Sequence, residues 1–258
     1  MEDIISEQNH KVIESLQDQP LTVCPHCRKT VDPVFSLEER VKVLIAMPVM
    51  GHIEPRAFDH FMDWRAWLTR LEHKSPVKFF FASVGDVLTP WARERLAEIA
   101  IAENFDYILF VDSDMLFPYD IFEKLYKHNV DIVVPLMFMR LGSHKPVIYR
   151  IKHGFDKQIH QEYFQTVIVE DYPKDTLFKV DGTGMGIMLI KIKVLKEITR
   201  PWFMNTAGTG EDVFFTEKAT KAGFGVYVDT SIHDVAHLGE RKQITEAVYL
   251  EQKNKALT

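Results

Sequence analysis

Apolar runs broken by proline, glycine and acidic residues divide most of this chain into short alternating elements. Val41-Lys-Val-Leu-Ile-Ala-Met47 is a β-rich run stopped by Pro48, and predicts a first buried strand. Apolar positions at Phe58, Phe61, Met62, Trp64 and Leu68 follow a helical period and predict an amphipathic helix over 58–71. Val77 to Ala82 predicts the next strand. Thr89-Pro90 then supplies an N-cap and a proline at the first helical position, and the helix continues through Leu96, Ile99 and Ala100. Tyr107 to Val111 reads as a third strand, 118–128 as a helix and Asp131 to Leu136 as another strand. Strand and helix alternating at this spacing predict an α/β fold with a mainly parallel sheet flanked by helices on both faces.

The second half is less regular. Segments 146–149 and 165–169 suit hairpin strands, and a glycine-rich loop, Asp181-Gly-Thr-Gly-Met-Gly186, leads into the apolar run 187–190. Helices are expected around 193–198 and over 213–222, the latter closed by Gly223, with a last strand over 224–228. His233 and His237 fall in the loop after it. Residues 1–38 are polar and interrupted by Pro20, Pro25 and Pro33. They read as an appendage with a short helix (Ile4 to Leu16) and a cysteine-bearing turn. Residues 39–242 form the main domain and 243–258 a helical tail.

Composition narrows the function. Apolar content of 46% and charged content of 26% are those of an ordinary globular protein. A net charge of -6 argues against nucleic-acid binding by bulk electrostatics. No apolar run approaches the length of a membrane span and no signal-peptide pattern opens the chain, so the cytoplasm is the expected location. Both cysteines lie in Cys24-Pro-His-Cys27. A structural Zn²⁺ at Cys24/Cys27 needs further ligands, from His10, His26 or a second subunit; a metal-free turn is the more economical reading. Nothing in the sequence sets the oligomeric state.

The chemistry concentrates where the third strand ends. Tyr107-Ile-Leu-Phe-Val-Asp112-Ser-Asp114 puts two carboxylates at the carboxyl end of a buried strand, where open α/β sheets place ligands. Such a pair suits a divalent metal that must also grip phosphates. Asp114 would ligate directly, with Asp112 acting through water or on a ribose; solvated strand-end acids or a helix cap are the alternative. His237, followed by Gly239, is favoured over His233 as a third ligand, and carboxylate plus imidazole suits Mn²⁺ (or Mg²⁺). Glu211-Asp212 opens a helix after a glycine-rich turn. It is either ordinary N-terminal acid enrichment or a general base whose pKa its neighbour raises.

Three further features are more ambiguous. The glycines around Gly184 precede a strand rather than a helix, so no phosphate-loop fingerprint applies; they suit close approach of backbone to a sugar. Arg93 either pairs with a diphosphate or is solvated. Trp202 and Phe203 are a sugar platform or core.

In order along the chain, Asp112-Ser-Asp114-Met, the segment Gly182 to Lys191, Gly210-Glu211-Asp212 and His237-Leu-Gly239 resemble nucleotide-sugar-dependent glycosyltransferases of the A-type fold, especially the family-two-like enzymes. The resemblance spans about residues 40–240 and implies a Rossmann-like catalytic domain. It also implies a hexosyltransferase-type activity that moves a sugar from a nucleoside diphosphate sugar to an unknown acceptor hydroxyl. Asp114 and His237 would hold Mn²⁺ or Mg²⁺, Asp112 would contact the nucleotide, Asp86 and Arg93 would lie near its base or phosphates, and Asp212 would be the base. Asp86 matches the family's acid after the second strand only loosely, and the cysteine segment lies outside the pattern. The alternatives are a nucleotidyltransferase, for which Pro48 to Pro55 lacks the glycine-rich basic loop, and a non-catalytic carbohydrate- or nucleotide-binding protein on the same fold.

Overall fold

A computed structural model describes residues 40–156, 161–206, 208–239 and 243–255; Cys24 and Cys27 lie outside them. β1 (Val41–Val49), β2 (Val77–Gly85) and β3 (Tyr107–Val111) form where the apolar runs predict. β1 pairs in parallel with both neighbours, Val43 opposite Phe79 on one side and Ile45 opposite Leu109 on the other. α1 (Pro55–Lys74) links β1 to β2 and is longer than its apolar stripe implies. Glu54 caps it by accepting from the amides of Arg56 and Ala57, and Pro55 opens it with the φ a helix needs. Its inward face is Ala57, Phe61, Trp64, Trp67, Leu68 and Leu71. α2 (Thr89–Ala102) returns from β2 to β3 over Ala92, Leu96, Ala97 and Ala100.

Beyond β3 lie β4 (Met115–Leu116), α3 (Ile121–Tyr126) and β5 (Ile132–Pro135). The helix expected over 118–128 contracts to α3: Tyr119 and Asp120 form a turn before it, and Lys127 and His128 one after it. β6 (Ile148–Asp156) and β7 (Gln161–Ile168) make the expected hairpin. β8 (Leu177–Val180), β9 (Gly182–Thr183), β10 (Ile187–Lys191), α4 (Ile192–Glu197), α5 (Glu211–Lys221) and β11 (Val226–Asp229) follow. The described chain closes with β12 (Ala236–Leu238), β13 (Gln243–Ile244) and α6 (Glu246–Lys255). Tyr249 anchors α6: its ring is buried and its hydroxyl donates to Glu170 at 2.8 Å.

The central sheet has seven strands in the order β2-β1-β3-β10-β5-β11-β8. β10 and β8 run against the rest, so the sheet is mixed but mainly parallel, as the sequence predicts. The reversal of β10 matters for the site. Ile187, at its start, pairs with Val111 at the end of β3, so the glycine-rich segment before β10 meets the acids after β3. Ile108, Leu109, Phe110 and Val111 are fully buried. Burial on that scale is worth roughly 6–12 kcal/mol for four such side chains, which fixes where the turn beginning at Asp112 emerges.

A small sheet, β13-β12-β4, lies past this edge. Antiparallel pairing of β12 with β4 sets His237 opposite Met115, and the Leu238 amide donates to the Asp114 carbonyl at 2.8 Å. His237 therefore sits in a strand rather than the loop expected for it.

Candidate functional site

The turn after β3 is held at both ends by backbone. The Asp112 amide donates to the Gly186 carbonyl at 2.8 Å, and the Met115 amide to the Asp112 carbonyl at 3.3 Å. Arg93, on α2 and only 3% exposed, reaches into this junction. Its Nη2 donates to both Asp112 oxygens at 2.9 and 3.2 Å, its Nη1 to the Met185 carbonyl at 3.1 Å, and its Nε lies 3.5 Å from Glu211 Oε1. One buried guanidinium thus ties α2, the acid turn, the glycine-rich segment and the first turn of α5. Burying a charge is tolerated only when it is paired in this way. Burial raises the Asp112 pKa; Arg93 opposes the shift, while Asp114 and Glu211 add to it.

Asp114 faces a different set of partners. Its Oδ2 accepts from Arg140 Nη1 at 2.7 Å and lies 3.2 Å from His237 Nε2. His237 Nδ1 lies 3.2 Å from the Phe138 carbonyl, which can only accept. Nδ1 therefore carries a proton, and in neutral imidazole the lone pair of Nε2 points at a carboxylate oxygen. Two acceptors at that distance need a cation or a proton between them. Burial works to raise the Asp114 carboxyl, but the hydrogen bond and charge of His237, with Arg140, outweigh it and hold the group below its ordinary value. Burial lowers His237, but Asp114, the Phe138 carbonyl and Asp112 overcome it, and the imidazole pKa rises.

The second acidic pair stands in the first turn of α5, whose N-cap is Gly210. A Cβ at residue 210 would lie 2.9 Å from Asp212 Oδ1, so glycine leaves room for this carboxylate to fold back. Oδ1 accepts from the Val213 amide at 2.7 Å. Burial, then the charge of Glu211, lifts Asp212 to about 6, against the pull of that amide and of Arg93. Tyr149, on β6, is itself pushed to about 12 by burial and by the Asp212 charge. β6 arrives there because Tyr149 pairs with Gly182 at the head of the glycine-rich segment.

The structure thus gathers Asp112, Asp114, His237, Arg93, Glu211 and Asp212 around the carboxyl end of β3, in the middle of the sheet. Asp86 follows the carboxyl end of β2 in a left-handed conformation (φ 60°), exposed and two strands from the acid turn. Gly184 is accounted for by packing: a Cβ there would lie 3.1 Å from Val147 Cγ2. Trp202 and Phe203 are core, 5% and 2% exposed, so the platform reading fails for them. His233 pairs with exposed Asp175, and Arg95 with Glu98. Among the described residues no group of three or more His, Cys, Asp or Glu is disposed to hold a metal. Of the expected trio, Asp114 and His237 lie 3.2 Å apart, while Asp112 is paired with Arg93. Sequence reasoning missed Arg140, Tyr149 and the Phe138 carbonyl. The signal for the first was a basic residue just before Gly142, in the connection leaving the carboxyl end of β5.

No family model and no curated protein matches this chain. Among solved structures, A197 from STIV is similar over 80% of this chain and 94% of its own, with 19% identity and a TM-score of 0.50. GalNAc-T7 with UDP, GalNAc and Mn²⁺ is more distant, at 12% identity and a TM-score of 0.43 over 76% of this chain and 43% of its own. Identity this low speaks to fold alone, and the first likeness supports the mixed α/β architecture described above.

Proposed function

We propose that this chain is a metal-dependent glycosyltransferase of the A-type fold, transferring a sugar from a nucleoside diphosphate sugar to an acceptor hydroxyl. The observation that supports it most is the meeting of Asp114 and His237, 123 positions apart, at the turn whose Asp112 shares Arg93 with the first turn of α5.

The donor set fits a cation of the Mn²⁺ class. A carboxylate oxygen and an imidazole nitrogen converge to 3.2 Å, and the Phe138 carbonyl fixes the ring as outer partners of metal ligands do. Asp114 and His237 would hold the ion, with water or diphosphate oxygens completing its coordination. Such an ion offsets negative charge on a departing diphosphate.

The protein's own groups divide the remaining work. Asp212, ionised above about pH 6, takes the acceptor proton as the acceptor oxygen bonds to the anomeric carbon and the bond from that carbon to the diphosphate breaks. Tyr149 borders the same carboxylate and offers a hydroxyl to a bound sugar. Arg93 positions Asp112 and Glu211 rather than meeting phosphate, since its guanidinium is already engaged inside the protein. Asp112 keeps its proposed role beside the nucleotide, and Asp86 its proposed contact near the base.

The test is thermal-shift screening of UDP and GDP with and without Mn²⁺. A ligand that binds only the folded state stabilises by RT ln(1 + [L]/Kd). One nucleotide should raise the melting temperature only with metal, and Asp114→Asn should abolish the rise while moving the apo transition by no more than a few degrees. Metal-independent nucleotide binding, or a rise that survives Asp114→Asn, would overturn the reading.

A further inference from the structure

The short connection between β5 and β6 touches the Asp114–His237 pair from two sides. Phe138 bridges Pro146, the Met139 amide donates to the Lys145 carbonyl at 2.9 Å, and His144 Nδ1 lies 3.0 Å from the Met139 carbonyl. Gly142 and His144 take positive φ (74° and 50°) to close the turn. From this one turn come the carbonyl that orients His237 and the guanidinium that covers Asp114.

Arg140 and His237 share a single oxygen, Asp114 Oδ2, at 2.7 and 3.2 Å. A divalent ion ligated by that oxygen would sit about 2.2 Å from it. The guanidinium cannot keep its place there, both because the space is taken and because like charges that close repel. Its surroundings let it leave. The Arg140 side chain is 47% exposed, with a long flexible stem, whereas Arg93 is buried and engaged with Asp112, Glu211 and the Met185 carbonyl. The two arginines on the two acids therefore have different standing: one is built in, the other replaceable.

We propose that Arg140 is an internal counter-cation, holding Asp114 while the site is empty and displaced when a divalent cation binds. The inference rests on the cation reading above and adds that the protein carries its own competitor for the metal. Competition weakens the binding of bare metal. An ion that arrives with an anionic diphosphate brings a new partner for the displaced guanidinium and does not meet the same penalty.

The test is Mn²⁺ binding, without nucleotide, followed by electron paramagnetic resonance of free Mn²⁺ in wild type, Arg140→Met, Arg140→Lys, Asp114→Asn and the Asp114→Asn/Arg140→Met double variant. Arg140→Met should bind Mn²⁺ roughly twofold to fivefold more tightly than wild type, the worth of a half-exposed ion pair. Arg140→Lys should fall between them, and both proteins lacking Asp114 should lose the site. Asp114-dependent binding that is unchanged or weaker in Arg140→Met would overturn this inference alone. Binding that is indifferent to Asp114, or absent from every variant, would overturn the cation reading and this inference with it.

Discussion

Replacing Arg93 with methionine keeps most of the side chain's bulk and removes its charge. Arg93 is 3% exposed, and its partners Asp112 and Glu211 are 26% and 16% exposed. Removing one member of a buried charge pair costs about 3–5 kcal/mol, because the other is left uncompensated. Solvent reaches both acids in part, which places Arg93→Met at the lower end, about 3 kcal/mol. For a domain of this size each kcal/mol lowers Tm by ~2–4 °C, so the expected fall is about 6–12 °C. Urea unfolding monitored by circular dichroism, checked for an unchanged m-value, measures it. The cost includes a stranded Asp112, whose pKa burial already raises, so the gap from wild type should narrow as pH falls and that carboxylate protonates. Adding Asp112→Asn should return part of the loss as a coupling energy above ~1 kcal/mol. A loss under about 1 kcal/mol that does not vary with pH would refute the view that this guanidinium holds the site together.

Three other outcomes are expected. Asp212 has its pKa raised from 3.8 to about 6, so between those values the folded state binds more protons than the unfolded state and stability falls as pH rises. Asp212→Asn should therefore be more stable than wild type at pH 7, by on the order of 1 kcal/mol, and should lose that advantage near pH 4 in chemical denaturation. In a transfer assay the wild-type rate should climb through about pH 6, and Asp212→Asn should lower it by roughly 100-fold or more. Gly184→Ala drives a Cβ against the branched Val147, while Gly186→Ala meets the Met115 and Met137 sulfurs at 3.2 Å. Unfolding curves should show about 1–3 kcal/mol lost for the first and less for the second, since thioether chains shift readily.

Where periodicity and punctuation were strong, the sequence was readable. The apolar runs at 41–47, 77–82 and 107–111 yield β1, β2 and β3 to within a few residues, and Thr89-Pro90 marks the start of α2, although the N-cap is Leu88 and the Thr89 hydroxyl makes no cap. The 118–128 segment was less so: the helix loses three residues at its start and two at its end to turns, and the pairing of Met115 and Leu116 just before it with a strand more than a hundred residues away is one that no local period records. The same long-range pairing put His237 beside Asp114, a juxtaposition expected from residue chemistry, the nearby Gly239 and the family resemblance rather than from any local period. The part played by Arg93 was hidden too. An arginine on a helix reads alike whether solvated or buried, and only the reversed course of β10 shows that Met185 and Glu211 close around it. Arg140 left a fainter trace, because the turn from 138 to 146 reaches the acid only through the fold.

The most direct measurement is anomalous diffraction at the manganese edge from crystals soaked with Mn²⁺ and the nucleotide that gives the thermal shift. The account predicts one strong peak about 2.2 Å from both an Asp114 oxygen and His237 Nε2, with diphosphate density against it and Arg140 withdrawn. Bound nucleotide with no manganese between those two side chains would contradict it.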